Sequence, residues 1–109
     1  MKLFLASAFD KTAALFFERS PETAQQGRVL FVANAADTNE DKPWIERDRQ
    51  AFLKLGFEIV EADLRKLPAQ EFARLAEETG LLHVCGGSVL YLNSLLKRTG
   101  ADAIIKRLI

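Results

Sequence analysis

Cysteine is almost missing from this chain of 109 residues: Cys85 stands alone, so no internal disulfide can form. A lone thiol suits a reducing compartment, and a cytoplasmic location is expected. Histidine is equally scarce, with His83 the only one; without a second Cys or His, ligand count argues against zinc. An excess of charge is lacking too, because fifteen Lys and Arg balance fifteen Asp and Glu. No global field therefore draws in nucleic acid or an anionic membrane, and neither is expected as a partner. The longest apolar runs, such as LFLASAF, are too short to span a bilayer. The opening MKLFLASAF superficially resembles a signal peptide, but Asp10 and Lys11 follow at once, and the stretch reads better as a buried strand. Neither G-x-G-x-x-G nor G-x-x-x-x-G-K-[ST] occurs, so dinucleotide and P-loop sites are not expected, and no cofactor is implied.

What is present is a folding chain. Its hydrophobic content of 49% argues against disorder, and residues 1–109 suffice for one modest domain. Near-continuous apolar runs at Lys2–Ser7, RVLFVANA, FEIVEADL and LLHV read as strands buried on both faces. Between them lie helical patterns. Asp10 is placed to cap the first, whose apolar face carries Ala13, Ala14, Phe16 and Phe17. Asp41 is expected as N-cap of the second, with Pro43 in its first turn and its end near Leu55 and Gly56. Pro68–Glu78, Ser88–Arg98 and Ala101–Ile109 supply the rest. The resulting βαβαβαβα order implies an α/β fold: a partial doubly wound, Rossmann-like or flavodoxin-like, mostly parallel sheet with helices on both faces. Chemistry in such folds sits in loops at the C-terminal strand ends, here Ala8–Asp10, Asn34–Lys42, Asp63–Leu67 and Cys85–Ser88.

The last of these loops contains Gly86 and Gly87, followed by Ser88 as a helix cap. Two glycines at a strand-to-helix turn can aim backbone N–H groups at an oxyanion without an obstructing Cβ. They also serve turns for steric reasons alone, and local residues leave the two readings even. His83 and Cys85, two apart on a strand, share a face; the preferred reading is a small buried cysteine and a packed histidine rather than a nucleophile and its base. Asp48 falls on the side of its helix that should be buried, and a solvated rim position is preferred to a specific buried pairing.

Three segments carry a resemblance. DKPWIERDR, KLGFE and GGSVLYL, within LFVANAADTNEDKPWIERDRQAFLKLGFEIVEADL and LLHVCGGSVLYLNSLLKRTGADAIIKRLI, are similar to the N-terminal half of the peptidase E (aspartyl dipeptidase) family. That family consists of serine peptidases on an α/β scaffold like that of class I glutamine amidotransferases. The resemblance implies that the turn at Gly86, Gly87 and Ser88 donates a backbone N–H to an oxyanion hole. Cys85 stands where the family has glycine, Ser88 where Asn is typical, and Val89 at the usual Thr position. The resemblance also implies hydrolysis of Asp-X dipeptides, but the G-x-S-A-G-type elbow, the acidic residue and the histidine of the family are not among these residues. Ser7, Ser20, Ser88 and Ser94 are the only serines, and none sits in an elbow, so no catalytic residue is assigned. The expectation is a truncated or split peptidase that takes a small peptide only once its site is completed. The rival is a non-catalytic binding or assembly domain that keeps the α/β fold and oligomerises through its open edge. In ADAIIKRLI the apolar positions 101, 104, 105, 108 and 109 form a stripe running to the last residue, from which a homo-oligomer or a complementary C-terminal fragment is expected.

Overall fold

Strand β1, Arg28–Val32, organises the molecule because its side chains serve two cores at once. Val29 and Phe31 point to one face, Leu30 and Val32 to the other, and all four are fully buried. Only a central strand covered on both sides needs such an unbroken apolar run. The computed structural model describes residues 9–19, 21 and 27–108. The strand expected over Lys2–Ser7 lies outside the described residues, as do Ser7, Ser20 and Ile109.

Helix α1 is Phe9–Arg19, α2 Pro43–Lys54, α3 Ala69–Thr79, α4 Val89–Thr99 and α5 Ala101–Leu108. Strand β2 is Glu58–Glu61 and β3 is Leu82–Val84, and a short 3-10 turn, Asn34–Ala36, follows β1. The strands are parallel in the order β2-β1-β3, with Phe31 opposite both Glu61 and His83. Helices α1 and α2 pack on the Val29 and Phe31 face through Phe9, Phe16, Phe17, Ile45 and Phe52. Helices α3, α4 and α5 cover Leu30 and Val32 through Phe72, Ala76, Leu95, Ala101 and Ile104. The α/β class and the doubly wound arrangement expected from the sequence are both present.

Two local expectations are corrected, and a third feature is located. Asp10 lies inside the first turn of α1 rather than ahead of it. The N-cap of α2 is Lys42, not Asp41, and no side chain caps it; Pro43, which has no N–H to satisfy, opens that helix. The stripe of α5 is largely used within the chain: Ala101 and Ile104 are buried, and Ile105 and Leu108 pack beside them on the Leu30 face. Apolar exposure is greatest at Val89 and Leu90 on α4, which are 77% and 85% exposed, with Leu15, Leu53, Leu55 and Val84 exposed to a lesser degree.

Candidate functional site

After β2 the chain crosses β1 to reach β3, so the strand order reverses between β1 and β3. A crevice opens at the C-terminal ends of two strands whose connections leave in opposite directions. The loops that meet there are Asn34–Ala36 after β1 and Cys85–Ser88 after β3. They touch closely. The amide of Ser88 donates to the carbonyl of Ala35 at 2.7 Å, and that of Cys85 donates to Val32 at 2.9 Å. Gly87 has φ +152°, and a Cβ there would run into the backbone of Ala35 and lie 2.7 Å from the nitrogen of Ala36. Glycine at 87 is therefore a requirement of the close approach, which settles half of the ambiguity in the sequence. Gly86 has open space around it.

Ser88 caps α4 as expected, its hydroxyl accepting from the amide of Tyr91 at 3.2 Å. Its own amide is occupied by Ala35, so of the three expected residues only Gly86 and Gly87 keep N–H groups without an acceptor among the described residues. Trp44 reaches across from α2 and donates its indole N–H to the carbonyl of Gly86 at 2.9 Å. In a trans peptide the following N–H points away from that carbonyl, so this bond fixes the direction of the Gly87 N–H.

Asn34 joins the loops that follow β1 and β2. Its carbonyl oxygen accepts from the amide of Leu64 at 2.9 Å, while its NH2 donates to Asp37 at 2.8 Å and to Asp63 at 3.0 Å. Tyr91 donates its hydroxyl to Asp37 at 2.9 Å, and Arg65 pairs with Asp63 at 2.9 Å and with Asp37 at 3.6 Å. The hydrogen bond from Arg65 is the main cause that holds Asp63 well below the usual carboxylate range, with Asn34 adding to it against partial burial. The bond to Asp37 pushes the Tyr91 phenol up. Two carboxylates against one guanidinium make a polar floor that ties the loops after β1 and β2 to α4. The sequence located the loops that hold Asn34 and Asp63 but gave no sign that Tyr91, in α4, would reach Asp37.

Asp48 is a correction. It is 7% exposed, not a solvated rim residue, and its carboxylate lies 2.9 Å from Nε2 of His83. The His83 ring packs against Phe9, Phe31 and Phe52 at centroid distances of 4.7, 5.4 and 5.1 Å. Cys85 is buried beside them, and burial, reinforced by the Asp48 charge, pushes its thiol far above the ordinary value. A thiol held protonated in this way is no nucleophile, as the sequence reading preferred. A count of Cys and His alone omits the carboxylate: Asp48, His83 and Cys85 present donor atoms all within 4.8 Å of one another. Of the serines, Ser88 is committed to its cap and Ser94 is exposed on α4. Among the described residues no helix is long and apolar enough to cross a membrane.

Comparison with known proteins gives a consistent picture. The model of Peptidase family S51 matches residues 5–109. An uncharacterized peptidase of Listeria innocua is 35% identical over 104 residues, which make up 94% of this chain and 49% of that protein. One from Listeria monocytogenes is 33% identical over 94% of this chain and 50% of its own length. One from Pasteurella multocida is 32% identical over 97% of this chain and 51% of its own. A crystal structure of a candidate peptidase E protein from Listeria monocytogenes superposes with a TM-score of 0.86 at 28% identity, covering 94% of this chain and 50% of that one. The chain thus spans about half the length of the curated relatives it matches.

Proposed function

This chain belongs to peptidase family S51, and from that premise we propose that it carries the oxyanion-binding turn of a serine-type peptidase whose nucleophile lies outside these 109 residues. One observation carries the reading: Gly86 and Gly87, exposed at the switch point, have N–H groups with no acceptor among the described residues. Such donors stabilise the oxygen of a tetrahedral intermediate, and each is worth about 3–4 kcal/mol where one has been removed from a hydrolase. Trp44 and the floor built on Asn34 hold the turn still, as preorganisation requires. Residues 1–109 are read as the N-terminal half of a peptidase E-like α/β domain, acting in the cytoplasm on Asp-X dipeptides, the substrate class implied by the resemblance. A serine delivered from elsewhere would attack the scissile carbonyl, and its oxygen would settle against the glycines.

A second reading is favoured by exposed Val84, Val89 and Leu90 beside the turn. Here the chain is a non-catalytic domain that self-associates through this patch. One experiment separates the two. The purified chain is assayed on Asp-X dipeptides alone and with the half of the Listeria innocua relative that this chain does not cover, while sedimentation is followed at micromolar concentration. The peptidase reading expects no turnover alone, since loss of the triad removes on the order of 10⁶-fold in rate, and turnover in the mixture. Turnover by the homogeneous chain alone, abolished by Ser88→Ala or Cys85→Ala, overturns it. Self-association lost in Leu90→Asp, with no turnover in the mixture, supports the second reading.

A further inference from the structure

Asp48, His83 and Cys85 come from three positions in the chain: the middle of α2, strand β3 and the residue just after it. Their donors are an oxygen, a nitrogen and a sulfur, all within 4.8 Å of one another. We propose that these three side chains form a binding site for a divalent transition ion of the zinc class, with water as the fourth ligand.

Four features support this site. The donor set combines a sulfur with an imidazole and a carboxylate, a mixture suited to zinc rather than to magnesium or calcium. Bonds of about 2.0–2.3 Å place tetrahedral donors roughly 3.3–3.8 Å apart, so donors no more than 4.8 Å apart need only side-chain rotation to enclose an ion. The scaffold is stiff: β3 is paired with β1 at Phe31 and His83, and the three phenylalanine rings fix the plane of the imidazole.

Charge balances as well. On binding, the thiol proton leaves to solvent, and the proton that His83 Nε2 shares with Asp48 in the metal-free site moves through solvent to Nδ1, which frees Nε2 and the Asp48 oxygen as ligands. Two negative ligands and the dication leave no net charge in a buried place, where an unpaired charge would be costly. Arg49 and Glu61 also act electrostatically on Cys85, with opposite sign, and they are paired with each other at 2.8 Å. The site stands independently of the peptidase reading.

Cobalt(II) is the probe. Titrated into the purified chain, it should bind once per molecule and give tetrahedral ligand-field bands together with a sulfur-to-cobalt charge-transfer band, and zinc should abolish both. Cys85→Ser and Asp48→Asn should each weaken binding by more than about 100-fold, beyond the 10–100-fold typical of changes in outer-shell partners. The wild-type chain decides the matter even where a variant does not fold. A folded wild type with no sulfur-to-cobalt band at saturating cobalt overturns the proposal, and so do bands that persist in folded Cys85→Ser.

Discussion

Replacing Gly87 with alanine tests the geometry of the turn more sharply than any activity measurement. The added Cβ would meet the carbonyl of Ala35 and lie 2.7 Å from the nitrogen of Ala36, and both are backbone atoms that cannot rotate away. Two loops would have to separate by roughly 0.5–1 Å, an overpacking that costs about 1–3 kcal/mol. Separation would stretch the 2.7 Å bond from Ser88 to Ala35, worth about 1 kcal/mol. Holding a non-glycine residue at φ +152° adds about 1–3 kcal/mol. A loss of roughly 3–7 kcal/mol is expected, a large share of the 5–15 kcal/mol that holds a domain together. Gly86→Ala is the matched control: nothing lies within 4 Å of its Cβ and its φ is not positive, so it should change stability by no more than about 0.5 kcal/mol. Urea unfolding followed by far-ultraviolet circular dichroism reads both, and the Gly87→Ala midpoint should fall by about 1–3 M. Equal midpoints for the two variants would refute the close packing of the turn on Ala35.

The polar floor gives two more expectations. Asn34→Ala should cost about 2–4 kcal/mol in the same unfolding assay, because it leaves the Leu64 amide unpaired and removes a donor shared by Asp37 and Asp63. Asp63 titrates lower in the folded than in the unfolded chain, so its stabilisation is complete above the ordinary carboxylate value of about 4 and is lost as pH falls below it. Arg65→Met removes the main cause of that depression, and the gap in urea midpoint between wild type and this variant should therefore shrink from pH 6 to about pH 2.

Backbone patterning was legible wherever one face or one period decided it. RVLFV could only be a strand covered twice, and Gly80 and Gly100 ended helices where the periodicity stopped. The loops of the site followed from the βα alternation alone. Contacts between distant residues were not legible. Asp48 and His83 are 35 positions apart, and helix periodicity could place the carboxylate inward without revealing its partner. Tyr91 and Asp37 are 54 apart, and no local pattern pairs them. The fate of the apolar stripe on α5 depended on α3 and α4 lying alongside, which no local pattern states. Side-chain reach across a fold is set by tertiary geometry, and periodicity carries only its local half.

The indole of Trp44 has a use beyond holding Gly86. It is the only tryptophan in the chain, so every photon of tryptophan emission originates at the turn. Indole emission responds to hydrogen bonding and to the polarity of its surroundings, so anything that settles on the glycines or pulls the turn aside becomes an optical signal. The protein carries its own fluorophore at the place where ligands would arrive. Their arrival can be timed by stopped-flow mixing without a label.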